Sequence, residues 1–239
     1  MFADLQYRAL CRFWPSEQHT PKPAGDAKLD LYIHPFFEGL DGLTILDFGC
    51  GTGRESMALA TKARQVVGLD INEPNLARAR EGADRLRIPN VSFVRGLPPD
   101  AKFDAVVSID AFEHFGDPAE ILHQMHAALR PGGRVLASFG PTWYHPYGGH
   151  LFSAFPWAHL LLSEQALLKW RNRFRENKAT SMMEGLNGWS IRRFERLVRN
   201  SEFVVEVFRC IPISTARFLH CGLTREFTTA VVQMKLRKR

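Results

Sequence analysis

Apolar runs of strand length alternate with stretches of helical period along most of this chain. The runs at 44–49, 65–71, 91–95, 103–109, 134–139, 203–211 and 226–236 predict strands, and three of them end on or beside an acid: Asp47, Asp70 and Asp110. After the fourth run, Asp117-Pro118 supplies a helix cap and a first-turn proline. Ile121, Leu122, Met125, Ala128 and Leu129 then recur on one helical face until Arg130-Pro131-Gly132-Gly133 stops it. Such alternation reads as βα units, which pack as a parallel sheet with helices on both faces. Gly96-Leu97-Pro98-Pro99-Asp100 is too short for the helix expected after the third strand and predicts a turn.

Three glycines at alternate positions, Gly49, Gly51 and Gly53, follow the first strand, and a helix is predicted directly after them. A strand that breaks into such a turn brings bare backbone N–H groups and a helix N-terminus against a ligand. Glycine is needed where a Cβ would block the approach. The spacing is G-x-G-x-G, whereas the dinucleotide fingerprint G-x-G-x-x-G needs its third glycine where Arg54 stands, which disfavours NAD. The triplet alone also fits a plain tight turn. Asp70 narrows the choice, because it ends the second strand about twenty residues beyond Gly49, where a carboxylate accepts both hydroxyls of a ribose.

Four segments in order are LDFGCGTG (46–53), VVGLDIN (66–72), FDAVVSIDAFEHF (103–115) and RPGGRVL (130–136). With them the chain resembles the class I S-adenosylmethionine (SAM) dependent methyltransferases, in particular the small-molecule group that includes the ubiquinone-biosynthesis methyltransferases. The resemblance covers residues 44–140, and the stretch 189–197 is similar to the helix before the family's sixth strand. It implies a Rossmann-like α/β fold: a seven-stranded, mostly parallel sheet, helices on both faces, an antiparallel last strand, and ligands outside the carboxyl ends of the strands. By the same resemblance Asp47 and the glycine turn hold the methionine end of SAM, Asp70 takes the ribose, and Asp110 lies near the methionyl amine. The family often carries an Asp after the third strand for the adenine amino group. Here the sequence reads Arg95-Gly96-Leu97, leaving adenine to the backbone of Gly96 and Leu97 and to packing by Ile71.

Outside the core, 44–140 plus 190–239, lie an N-terminal cap segment, 1–43, and an insertion after the fifth strand, 141–189. A loop is expected at 19–25. All five tryptophans (Trp14, Trp143, Trp157, Trp170 and Trp189) fall in these two segments. In the family such additions resemble lids that build the acceptor pocket, and aromatic walls suit an apolar or aromatic acceptor and exclude water. Packing within the lid is the competing reading for each tryptophan. Trp143, Tyr144 and Tyr147 are the expected pocket residues.

Methyl transfer from a sulfonium needs in-line positioning and, for a phenol or alcohol acceptor, a base. His114, just past the fourth strand, is the leading candidate, with His145 and His150 behind it. A structural role for Glu113-His114, and a loop at 143–150 that bonds only to itself, are the alternatives. Asp110, Glu113 and His114 also resemble an acid-x-x-Glu-His cluster of ubiquinone-type O-methyltransferases, some of which use a divalent metal. With no fourth ligand evident, metal is the disfavoured reading.

Length and charge adjust this picture little. The 239 residues are 45% hydrophobic, enough for one large core, and no apolar run reaches membrane-spanning length. The first residues are too charged and aromatic for a signal peptide, and Cys11, Cys50, Cys210 and Cys221 are scattered; both suit the cytoplasm. The net charge of +6 raises an anionic partner. Its basic residues gather at Lys169, Arg171, Arg173, Arg175 and Lys178, facing away from Leu167, Trp170 and Phe174, and again at Arg192, Arg193, Arg196 and Arg199. A solvated lid face is the plain reading. Peripheral membrane contact through Leu151, Phe152, Phe155, Trp157 and Leu160-Leu161-Leu162 comes next. Nucleic acid comes last, because Ile109-Asp110-Ala111-Phe112 lacks the Pro-Pro box used on base amino groups. A soluble SAM-dependent methyltransferase acting at oxygen on a small molecule is therefore expected; the alternatives are a lipid- or polymer-linked acceptor at a membrane face and a non-catalytic SAM-binding scaffold.

Overall fold

The computed structural model describes residues 2–16 and 34–239. Its strands are β1 (Thr44–Phe48), β2 (Gln65–Leu69), β3 (Val91–Val94), β4 (Phe103–Ile109), β5 (Leu129–Phe139), β6 (Phe203–Pro212) and β7 (Thr229–Lys238). The helices are α1 (Phe2–Phe13), α2 (Arg54–Leu59), α3 (Glu73–Leu86), α4 (Pro118–Ala128), α5 (Ala158–Leu161), α6 (Glu164–Phe174), α7 (Ile191–Arg199) and α8 (Arg225–Thr228). All seven strands join one sheet in the order β3-β2-β1-β4-β5-β7-β6, with β7 antiparallel to both its neighbours. The order reverses at β1, which pairs with β2 on one side and β4 on the other. The carboxyl ends of β1 and β4 therefore open the crevice where ligands bind in sheets of this kind.

Alternation of side chains across the strands explains why both faces are covered. Ile45, Ala105, Val107 and Leu136 enter one apolar core with Val66 and Ala60, at the end of α2. Leu46, Val106, Val135 and Phe139 enter the other, with Leu122 and Met125 of α4 and Phe194 and Val198 of α7. All five residues of β1 are buried, as a strand covered on both sides requires. Asp117 caps α4 as its sequence predicts, accepting the Ala119 and Glu120 N–H groups. The 95–102 linker carries no helix.

Two strand boundaries differ from the sequence reading. β5 begins at Leu129, paired with Phe103 ahead of an irregularity, so part of the expected helix stop is already in the sheet. At the other end, residues 226–228 are helical. Glu226 explains this: its buried carboxylate accepts the Ile191 and Arg192 N–H groups at 2.8 and 2.9 Å, capping α7 from outside.

The stretch between β5 and α7 packs mainly on α1. Leu10, Phe152, Ala154, Ala158, Leu167 and Trp170 form a separate apolar core, and the Trp170 indole N–H donates to the Trp14 carbonyl at 2.8 Å. Here the expected cationic helix face needs correcting. Arg171 is buried and donates to the Asn177 carbonyl, Lys169 pairs with Asp4, and Lys178 donates to the carbonyls of Asn172 and Arg175. Phe152, expected as a membrane contact, is likewise buried in this second core. The loop expected at 19–25 lies outside the described residues. Among the described residues no helix is long and apolar enough to cross a membrane.

Candidate functional site

The glycine turn is shaped by packing as much as by a ligand. Gly49, Gly51 and Gly53 all have φ between 53° and 83°, where a side chain is strained. A Cβ on Gly49 would meet the Ala111 methyl at 2.8 Å, and one on Gly53 would meet the Phe93 ring at 2.5 Å. Gly51 differs, because no atom lies within 4 Å of where its Cβ would stand, so its bare face opens to the crevice. The expectation of free N–H groups needs correcting. Gly49 and Cys50 donate to the Leu69 carbonyl, Gly53 to the Cys50 carbonyl, and Gly51 to Asp70 Oδ2 at 2.8 Å. The turn thus spends those donors on its own shape.

Asp47 ties the two ends of the turn together. It is 1% exposed and its Oδ2 accepts the Ser56 hydroxyl of α2 at 2.5 Å. Burial pushes its carboxyl up to about 7; the Ser56 bond opposes this, and the nearby Glu55 and Asp70 add to it. Asp70 stands at the end of β2 with its second oxygen on the Asn72 N–H at 2.8 Å. An ionised carboxylate has about four lone-pair sites, so two N–H groups leave room for ribose hydroxyls. Beside it Ile71 is 83% exposed, an unusual position for a large apolar side chain next to a strand end. Gly96 faces open space and Leu97 rests against the main core. Asp110 is exposed, at φ 51°, and its N–H donates to the Ser138 carbonyl, joining the ends of β4 and β5.

His114 and His150 meet at those strand ends. Their rings are 5.3 Å apart and nearly perpendicular. His114 is exposed, and its Nδ1 lies 2.5 Å from the Gly185 carbonyl oxygen. A carbonyl only accepts, so Nδ1 carries the proton and Nε2 of the neutral ring keeps its lone pair. His150 Nε2 points to the Pro141 carbonyl at 3.5 Å. His145 is differently placed: its Nδ1 accepts the Tyr147 N–H at 3.0 Å, and burial, with repulsion from His159, lowers its pKa to about 4.

Trp143 lines a small pocket with Thr142, Leu186, Trp189 and Phe194; its volume is about 10 Å³, barely the room one water needs. Tyr144 stands outside it, with its ring against Phe227. Two residues that sequence reasoning missed organise this region. His159 is buried, its Nε2 donating to the Trp143 carbonyl at 2.7 Å and its Nδ1 lying 3.3 Å from the Ser153 hydroxyl. Asn187 donates its backbone N–H to the Glu113 carbonyl, and its side chain to those of Phe112 and Phe115. Only the tight Gly148-Gly149 pair, which a Cβ would drive into Trp143 and His159, hints at His159 in the sequence.

The Asp-x-x-Glu-His cluster does not assemble as a ligand set. Glu113 is 4% exposed and its Oε1 accepts the Gly140 N–H at 3.2 Å, away from the exposed His114 ring. Among the described residues no three His, Cys, Asp or Glu side chains stand together as metal ligands.

Residues 45–133 match the family described as a methyltransferase domain. The chain is 32% identical over 142 residues to the ubiquinone biosynthesis O-methyltransferase of Pseudomonas paraeruginosa, covering 56% of this chain and 60% of that protein. To the protein of the same name from Paramagnetospirillum magneticum it is 31% identical over 167 residues, 68% of this chain and 56% of that one. The matched part thus spans less than two thirds of these relatives. A SAM-dependent methyltransferase from Mesorhizobium loti has a TM-score of 0.59 at 22% identity, over 90% of this chain and 99% of that one. One from Aquifex aeolicus gives 0.55 at 15% identity, over 89% and 93%. The chain accordingly shares the Rossmann-like fold of these two structures, and its residues 45–133 are similar to the methyltransferase-domain family.

Proposed function

We propose that this protein methylates a small-molecule acceptor at oxygen, with SAM as methyl donor and His114 as base. The observation that carries the reading is the placement of His114, an exposed imidazole just past β4 whose Nδ1 meets the Gly185 carbonyl, which leaves Nε2 for the acceptor. SAM supplies a methyl group already activated on a sulfonium. Gly51 and Gly96 provide the faces on which no Cβ would meet an atom, Asp70 takes the ribose, Ile71 and Leu97 flank the adenine, and Asp110 faces the amine. Gly49, Gly53 and Asp47 hold the turn in shape. The acceptor hydroxyl gives its proton to His114 Nε2 while its oxygen forms the new bond to the methyl carbon. With SAM bound, loss of the methyl from sulfur would leave S-adenosylhomocysteine, and the acceptor's proton would remain on His114 as imidazolium.

His150 orients the His114 ring, while His145 and Tyr147 shape the loop. Trp143 walls the acceptor side, and the 141–189 segment acts as a lid over it. Four free cysteines without a bridge support a cytoplasmic location.

Calorimetric titration with SAM, S-adenosylhomocysteine and NAD tests the cofactor: both sulfur ligands are expected to bind and NAD not. Failure of both to bind would remove the assignment. For the base, His114→Ala is expected to lower turnover by about 10²–10⁴-fold with SAM affinity unchanged. Equal loss of both would make His114 structural.

A membrane-face acceptor is favoured by one observation. Trp157, Leu160 and Leu161 are 37%, 38% and 66% exposed, and the Trp157 indole N–H donates to the carbonyl of Tyr144, whose ring meets the exposed Phe227. Sedimentation with phospholipid vesicles separates the readings.

A further inference from the structure

At the end of the sheet opposite the glycine turn lies a second cleft, of about 390 Å³. It is lined by the amino-terminal ends of β4 and β5 and the carboxyl end of the antiparallel β7, which brings together Arg130, Arg134, Lys235 and Arg237. Only two acids, Asp104 and Glu206, line it with them. Arg130 is paired with Asp104 at 2.6 Å and Arg237 with Glu206 at 2.9 Å. Arg134 donates to the Gly39 carbonyl, which leaves its charge unbalanced. Among the described residues the side chain of the half-buried Lys235 has no hydrogen-bond or ion-pair partner.

The register sharpens the point. Arg134 and Arg237 are directly opposite in the β5–β7 ladder, and Lys235, two residues from Arg237, shares its face. Like charges set opposite each other in a ladder cost stability. A salt-bridged surface would set acids between them; this one leaves two cations in excess, in a concave site of a size that small ligands fill. Guanidinium forks and a lysine ammonium are the groups that hold phosphate oxygens.

We infer that this cleft binds a phosphate-bearing small molecule, the dianion resting on Arg134, Lys235 and Arg237. The five residues of β1 place the cleft about 15 Å from the glycine turn, so its occupant is not the methyl acceptor. The inference stands apart from the methyl-transfer reading.

Inorganic pyrophosphate is the probe, titrated by calorimetry at low salt into protein saturated with S-adenosylhomocysteine, or into protein alone if that ligand does not bind. Binding that weakens with salt is expected, and Lys235→Gln or Arg237→Gln should each weaken it at least tenfold. Arg192→Gln/Arg196→Gln, which removes the same sign of charge elsewhere on the surface, should leave it unchanged. No binding overturns the inference, as does an equal loss in the Arg192/Arg196 variant, which would mean that total charge alone is at work. Competition then separates two sources of the phosphate. Displacement by phosphatidylglycerol vesicles identifies a lipid headgroup; displacement by a soluble sugar phosphate and not by vesicles identifies a metabolite.

Discussion

In the turn after β1, a Cβ on Gly53 would stand 2.5 Å from the Phe93 ring, and in the segment after β5 a Cβ on Gly148 would run into the Trp143 and Thr142 carbonyl oxygens. Both regions use glycine for close approach, but what approaches differs. In the first, apolar side chains of the sheet core press against the turn, so its shape is inherited from the core. In the second, the neighbour is the segment's own backbone, and Gly149 makes room for His159, which then clamps the Trp143 carbonyl. A turn built on a core is rigid whether or not ligand is present. The second segment closes on itself and on α1, and Asn187 and Gly185 tie its far end to the loop after β4.

Breaking the first region should have the largest effect. Gly53→Ala combines a positive-φ penalty with a clash against a buried ring, and a loss of about 2–5 kcal/mol is expected from denaturant midpoints. A tolerated alanine would show that the turn is not held by the core. Trp170→Ala should cost about 3 kcal/mol, but confined to the second region. Hydrogen exchange should rise in α1 and 141–189 while the sheet amides and SAM affinity stay as they were. Faster exchange throughout the sheet would mean that the two regions unfold together.

The response to pH distinguishes them by sign. Asp47 has a raised pKa of about 7, so its contribution to stability is fully present below its unfolded value near 3.8 and is lost as pH rises to about 7. His145 has a lowered pKa of about 4, so its contribution is present above about 6.5 and is lost as pH falls towards 4. Asp47→Asn should therefore remove a decline in Tm between pH 4 and 7, while His145→Gln should remove a loss on acidification. Each kcal/mol appears as about 2–4 °C. Same-sign responses in the two variants would refute the assignment.

Much of the first region was legible because its constraints are local. The strands, the Asp117 cap and the positions of Asp70 and Ile71 at a strand end follow from period, cap chemistry and spacing. The second region was less so. Tyr144 reads as a pocket residue and His145 as a candidate base in the sequence, yet Tyr144 packs its ring against Phe227 and His145 accepts its neighbour's N–H. Arg171 looks solvated by helical period, but a following loop folds back over it to supply the Asn177 carbonyl.

By itself the sequence determined the alternating strands and helices, the two-faced core and the strand-end acids, because apolar period and glycine spacing act over a few residues. Tertiary structure decided which polar groups remain available. It spent the turn's N–H groups on Leu69 and Asp70, turned Glu113 inward to Gly140, and held His114 Nδ1 against the carbonyl of Gly185, 71 residues away. Hydrogen-bond partners so far apart leave no periodic trace in the chain, and only the packed sheet brings them within reach.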